Sequence, residues 1–318
     1  MKTRRFIVAG IIYVAILIAF WLGFRNSQIA VSIGSVFPRA FASFALLLAP
    51  LWFFGFGAGE RLKVLSVTVK IGAASLLSIS YFVFAAGTNV FSWRAMVIVI
   101  AYPVLVAAFL ELPQLPREMT WRDAALLVII AATYYLRWLQ SAWPPELTVL
   151  PKLFLADVAL YCFLAIRGLE GAGYCLVPSW TALKVGLREW LLFLPLALAV
   201  GEATGFIHFH ADVPRIGHVA AAVVLTLLLI AIPEELFFRA ILQNLLETRL
   251  GRTAALLIAA ALFGLSHFNH GAVFNWRYVL LATIAGIFYG RAWRKNRQTF
   301  ASIVTHTAVD VVWSLWFR

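Results

Sequence analysis

The run from His218 to Leu246, HVAAAVVLTLLLIAIPEELFFRAILQNLL, decides how the rest of the chain is read. It exceeds the roughly 20 apolar residues that an α-helix needs to cross a bilayer. Yet Glu234, Glu235 and Arg239 sit in its middle. Each charge at that depth costs several kcal/mol unless it is paired, hydrogen-bonded or neutralised. On a helix Glu235 and Arg239 are four positions apart and share a face, so they can pair. Glu234 lies about 100° around the helix from Glu235 and is the carboxylate left to do chemistry. Pro233 removes a backbone donor just before it and predicts a kink there.

Composition agrees with a membrane reading throughout. The 318 residues are 63% hydrophobic and 13% charged, against about 25% charged in a soluble domain. Only 14 acidic residues accompany 26 Lys and Arg, which excludes a disordered or ordinary cytosolic protein. The net charge of +12 does not mark a nucleic-acid partner, because the basic residues lie between apolar runs rather than along one face. Cys162 and Cys175 form no disulfide or zinc-finger framework.

Outward from the opening run, about eleven apolar segments appear, near 6–24, 41–58, 64–87, 95–110, 124–140, 150–166, 187–201, 218–246, 254–267, 276–292 and 298–317. Alternating strands and Asn-Gly hairpins are missing, so the fold expected is an all-α polytopic transmembrane bundle of 9–11 segments. Arg61, Lys63, Arg117, Arg122, Arg167, Lys184, Arg249, Arg252 and the cluster Arg291, Arg294, Lys295, Arg297 fall in inside loops if the N-terminus is cytoplasmic. The first segment reads as a retained helix of an integral protein, in a bacterial inner membrane. Glycines near 168–173 and Pro178 suggest a boundary between residues 1–180, of no legible role, and 181–318. In the first part Lys70, Arg137 and Asp157 are intramembrane candidates, with a Lys70–Asp157 pair plausible.

Two further segments of the second part carry ionisable residues. One ends Phe263-Gly264-Leu265-Ser266-His267 and the other contains His306-Thr307-Ala308-Val309-Asp310, with His306 and Asp310 on one helical face. Gly286 and Gly290 between them permit close helix contact. With ~1.5 Å rise per residue, Glu234, His267 and His306 reach a similar depth on three helices. His208, His210, His218 and His270 read as loop or interface residues; His208 and His210 lack a third metal ligand. There is no His-Glu-x-x-His and no Gly-x-Gly-Asp motif.

The ordered trio Glu-Glu-x-x-x-Arg at 234–239, Phe-x-x-x-His at 263–267 and His-x-x-x-Asp at 306–310 resembles the CPBP family of CAAX proteases and bacteriocin-processing enzymes, over roughly residues 185–318. That resemblance implies a glutamate-dependent intramembrane peptidase without a cofactor. Glu234 and His267 would activate a water, Arg239 would hold Glu235, and His306 with the residue four positions on would stabilise the oxyanion. The commoner pattern has Asn at that last position. Asp310 accepts hydrogen bonds but, when ionised, cannot donate one. Three roles stay open for it: protonated donor, acid that orients His306, or zinc ligand beside Glu234, His267 and His306. The implied partner is a membrane-embedded or membrane-anchored protein substrate in the bilayer, with C-terminal sorting-signal or precursor processing favoured. A proton-coupled transporter and a non-enzymatic peptide-binding or immunity protein are the competing classes.

Overall fold

The computed structural model describes residues 2–111, 117–268 and 274–317. Its main helices follow the eleven apolar segments one for one. They are α1 (Lys2–Phe24), α2 (Phe37–Gly55), α3 (Val67–Ala85, with a 3-10 stretch at Ala74–Ser78), α4 (Trp93–Leu110), α5 (Trp121–Tyr135) and α6 (Val149–Ile166). Then come α7 (Trp180–Ala203), α8 (residues 216–250), α9 (residues 252–265), α10 (Trp276–Asn296) and α11 (Thr299–Trp316). A short helix, Gln28–Ile33, precedes α2. The described residues contain no β-strand beyond one isolated bridge, Phe209 to Phe317. The chain is an all-α polytopic bundle.

Six helical stretches among the described residues are long and apolar enough to cross a membrane: α1, residues 28–55, α3, α4, α6, and 216–265 taken as one. The remaining helices are shorter or carry more polar residues, as α11 does with Thr305, His306, Thr307 and Asp310 in its middle. Ile7, Ile11, Ile18, Val97, Leu105 and Leu191 lie exposed on helix exteriors. Such surface belongs in lipid, and the protein is an integral membrane protein.

Contacts divide the chain into two units. One runs to Glu170 without residues 117–119; the other contains those three and everything from Gly171 on. In the first, Leu47, Leu48, Leu51, Tyr81, Phe84 and Phe154 are fully buried. A buried ion pair joins Arg167 to Asp123 at 3.0 Å, and Asp123 also closes a capping box with Thr120 at the start of α5. The first unit departs from the sequence reading at two points. Arg137 lies in a turn beyond the end of α5, with φ 55°, not inside a span. Lys70 meets α6 through its carbonyl, which accepts from the Tyr161 hydroxyl at 2.7 Å, while Asp157 is buried against the apolar core. The described contacts do not include a Lys70–Asp157 pair.

In the second unit the helix that opens at Ile216 leaves helical geometry only at Gly251, with φ 74° and ψ 172°. A left-handed φ favours glycine, and the chain turns there from α8 into α9. Pro233 does not break α8. Wide π turns at Thr226–Ala231 and Leu236–Gln243 bracket the Ile232–Glu235 turn instead. A π turn bonds i to i+5, which relieves the clash of the proline ring with the carbonyl four residues back. π turns inside α-helices frequently mark functional sites.

α10 lies close against both α8 and α9 because glycines leave room. A Cβ on Gly286 would meet the Ala260 Cα at 3.1 Å, and one on Gly264 would meet the Val279 carbonyl oxygen at 2.6 Å. The helix ends on the basic side are tied by acids. Glu189 pairs with Arg188 and, at 3.0 Å, with Arg291; Glu247 pairs with Arg297 and, at 3.9 Å, with Arg294.

Candidate active site

Three helices of the second unit, α9, α10 and α11, line one cavity with ionisable side chains, and α8 meets that group through His306. α8 supplies Glu234, Glu235 and Arg239 from the turn that its π segments bracket. Glu235 and Arg239 are wholly buried and pair at 3.3 Å, as their four-residue spacing requires. The guanidinium also donates to the Gly286 carbonyl at 3.4 Å and lies 4.7 Å from the Phe263 ring, 5.5 Å from Tyr289 and 5.8 Å from Phe238. Three aromatic faces thus replace much of the hydration that burial removes from the cation.

His306 of α11 is the hub. Its Nδ1 donates to Glu235 Oε1 at 2.9 Å. Its Nε2 stands 3.4 Å from Asp310 Oδ2 and 3.8 Å from Glu234 Oε2. A neutral imidazole has one donor, so two nitrogens facing carboxylates favour the imidazolium. The Tyr289 ring stacks on it, with centroids 4.4 Å apart and planes 17° apart, which fixes the ring's orientation. Spacing along α8 predicts the Glu235–Arg239 pair but not that one histidine touches both glutamates. That contact joins residues far apart in sequence and leaves no local pattern.

His267, at the end of α9, approaches from the other side. Its Nδ1 is 2.8 Å from the Phe263 carbonyl oxygen and 3.1 Å from Ser266 Oγ. A carbonyl only accepts, so Nδ1 carries the proton and Nε2 is the basic nitrogen. The His267 ring lies 4.9 Å from Phe263 and 5.0 Å from Tyr278, and Phe263 in turn meets His306 edge-on at 5.6 Å. The six residues singled out from sequence therefore converge. Glu234, Glu235, Arg239, His306 and Asp310 form one connected cluster, and His267 joins it through Phe263 and the shared cavity.

The cavity measures about 100 Å³, enough for several waters. His267, Tyr278, Tyr289, His306 and Asp310 form its polar wall; Trp190, Phe193, Phe206, Trp313 and Phe317 are among the apolar residues opposite. Tyr278 and Tyr289 escape the motif reading. Tyr289 lies inside the Gly286–Gly290 segment, where small-residue spacing draws the eye to the glycines. Tyr278 follows a loop and has no motif of its own.

Glu234 keeps 18% of its side chain exposed and Asp310 keeps 29%, while Glu235 and Arg239 keep none. That gradient leaves Glu234 and Asp310 open to a small molecule such as water and encloses Glu235. Among the described residues, no group of three or more His, Cys, Asp or Glu is arranged to hold a metal ion. Both His306 nitrogens face carboxylates already. His208 and His210 lie in an extended segment, where His210 pairs with Asp212 at 3.3 Å; His218 occupies the first turn of α8. His270 lies outside the described residues.

Comparison with known families accords with this geometry. Residues 216–312 match the family described as Rce1-like, Type II CAAX prenyl endopeptidase Rce1-like. The match opens with α8, ends within α11 and includes all six residues. It does not reach α7, although Trp190 and Phe193 of that helix line the cavity. No curated protein and no solved structure matches the chain. Over residues 216–312, on helices built around a Glu-Glu-Arg cluster and two histidines, the chain is similar to the Rce1-like family, the type II CAAX prenyl endopeptidases.

Proposed function

We propose that the protein is an intramembrane endopeptidase that hydrolyses peptide bonds in membrane-embedded or membrane-anchored protein substrates. The observation that carries this reading is the meeting of Glu234, His306 and Asp310 beside a cavity that also contains His267, within the Rce1-like segment. Glu234 is the general base. Its carboxylate is partly exposed, whereas that of Glu235 is enclosed and bonded to His306 and Arg239. It takes a proton from a water that His267 orients through Nε2, and the resulting hydroxide attacks the scissile carbonyl. The same carboxyl then returns the proton to the leaving amine, so no proton is lost or gained over the cycle. His306 places positive charge beside the reacting atoms. Glu235 and Arg239 position it from behind, and Asp310 holds its second nitrogen.

No step is routed through a metal. The apolar wall of the cavity suits a substrate segment with large apolar side chains next to the cut bond, as C-terminal sorting signals and exported precursors carry. Lipid on the substrate is not required by this geometry. The test is cleavage of an internally quenched apolar peptide by purified protein in detergent, with and without a strong chelator, alongside metal analysis. The reading predicts chelator-resistant cleavage by a preparation with far less than one equivalent of metal. Activity that is lost on chelation and returns with zinc contradicts the metal-free mechanism.

A further inference from the structure

The two ends of the second unit are packed differently. Toward the connections at 250–252 and 296–299 the interior is closed. Every residue of α8 from Arg239 to Leu246 is buried, and Arg239, Gln243, Trp293, Thr299 and Ser302 expose nothing. The chain ahead of α7 is laced across that end. The Trp293 indole donates to the Ala172 carbonyl at 3.0 Å, and the Thr299 backbone N–H donates to the Gly173 carbonyl at 2.9 Å. The Cys175 N–H donates to Thr299 Oγ1 at 3.0 Å, and a side chain at Gly173 would strike the Arg297 carbonyl. An interior packed this tightly gives a peptide no path to the site from this end.

The opposite end carries the cavity. Its lining there comes from Phe206 and Ile207 between α7 and α8, His267 after α9, Tyr278 in the first turn of α10, and Trp313 and Phe317 at the end of α11. Exposure along α11 rises in the same direction, from 2% of the side chain at His306 to 29% at Asp310. Phe209, Phe274 and Trp276 stand exposed at this end, as aromatic side chains do at the level of lipid headgroups.

Charge follows the same axis. Arg249, Arg252, Arg291, Arg294, Lys295 and Arg297 lie at the closed end. The connections 204–215 and 266–275 contain a single Lys or Arg between them, Arg215. The positive-inside rule predicts a cytoplasmic location for the closed end, and so an outer location for the mouth of the cavity.

We infer that the site takes its substrates from the extracytoplasmic face: exported proteins tethered by an apolar segment and cut where that segment meets the outer side of the bilayer. This rests on the proteolytic reading of the same site. Such a cut frees the exported domain and leaves the tether in the membrane. A peptide bond presented from the cytoplasm meets the closed end and is not a substrate.

The experiment uses the full chain and its Glu234→Ala variant in right-side-out and inside-out membrane vesicles. The probe is an internally quenched apolar peptide flanked by lysines, whose charges keep it from crossing the bilayer. Wild type is expected to cleave it at least tenfold faster in right-side-out than in inside-out vesicles, and at equal rates once detergent opens both. Faster cleavage in inside-out vesicles, or equal rates in sealed ones, overturns the inference. Cleavage in detergent that is missing, or that survives Glu234→Ala, overturns the proteolytic reading instead. The mouth is then located by labelling Phe206→Cys, combined with Cys162→Ser and Cys175→Ser, with a membrane-impermeant maleimide. Labelling in right-side-out vesicles alone supports an outer mouth; labelling from the inner side, or from neither, overturns it.

Discussion

At the scale of single residues, burial separates Glu235 from Glu234 and Asp310. Glu235 is enclosed and answered on two sides, by Arg239 at 3.3 Å and by His306 at 2.9 Å. Removing one partner of such a buried pair leaves an uncompensated charge and costs about 3–5 kcal/mol. Arg239→Ala is therefore expected to lower the melting temperature in detergent sharply, and Arg239→Met less, because Met refills part of the space among Phe238, Phe263 and Tyr289. Equal melting curves for Arg239→Ala and wild type would show that the pair does not hold the site. Glu234→Gln should leave the melting curve near wild type and abolish cleavage, since its carboxylate is partly exposed and its proposed role is that of general base. The adjacency of two glutamates and the arginine one turn on is legible in the sequence, because it is local and costly in an apolar run. The His306–Glu235 bond is not, because helix spacing says nothing about which residue of another helix arrives opposite.

Helices show the same division between local and non-local information. Their eleven positions follow apolar periodicity and length, which the bilayer enforces strongly. Pro233 is accommodated at this scale by wide π turns on either side, which keep α8 continuous and set Glu234 and Glu235 between them. The glycine spacing at 286 and 290 is read correctly as close contact, but only the structure shows Gly264 in the same packing. A side chain on Gly264 would strike the Val279 carbonyl and Thr283. Gly264→Val should force α9 from α10, cost about 1–3 kcal/mol and displace His267, with loss of cleavage. Gly217→Ala, where a Cβ meets nothing within 4 Å, should change stability by less than about 0.5 kcal/mol. Equal stability of the two variants in a denaturation series would refute the packing account of Gly264.

At the scale of the whole molecule, charge rather than packing carries the prediction of orientation. Arg249, Arg252, Arg291, Arg294, Lys295 and Arg297 gather at the ends of α8, α9 and α10, and the positive-inside rule predicts a cytoplasmic location for that end. A single cysteine at Lys295 in a cysteine-free background should react with a membrane-impermeant maleimide only from the cytoplasmic side, and one at Asp212 only from the opposite side. Labelling in the reverse sense would invert the topology. Residues 1–180 yield their helices to composition, yet no constellation of chemical groups there announces a task. The buried Asp157 and the Arg167–Asp123 pair serve the unit's own packing.

Hydrolysis by Glu234 is the central claim, and substrates in the native membrane test it most directly. Membranes from cells carrying wild-type protein and Glu234→Ala should be compared for protein N- and C-termini by mass spectrometry, at matched expression. The account predicts that one or more membrane-anchored proteins carry a new terminus next to large apolar residues only where Glu234 is intact. Identical termini in both membranes, with the variant folded and equally abundant, would contradict it.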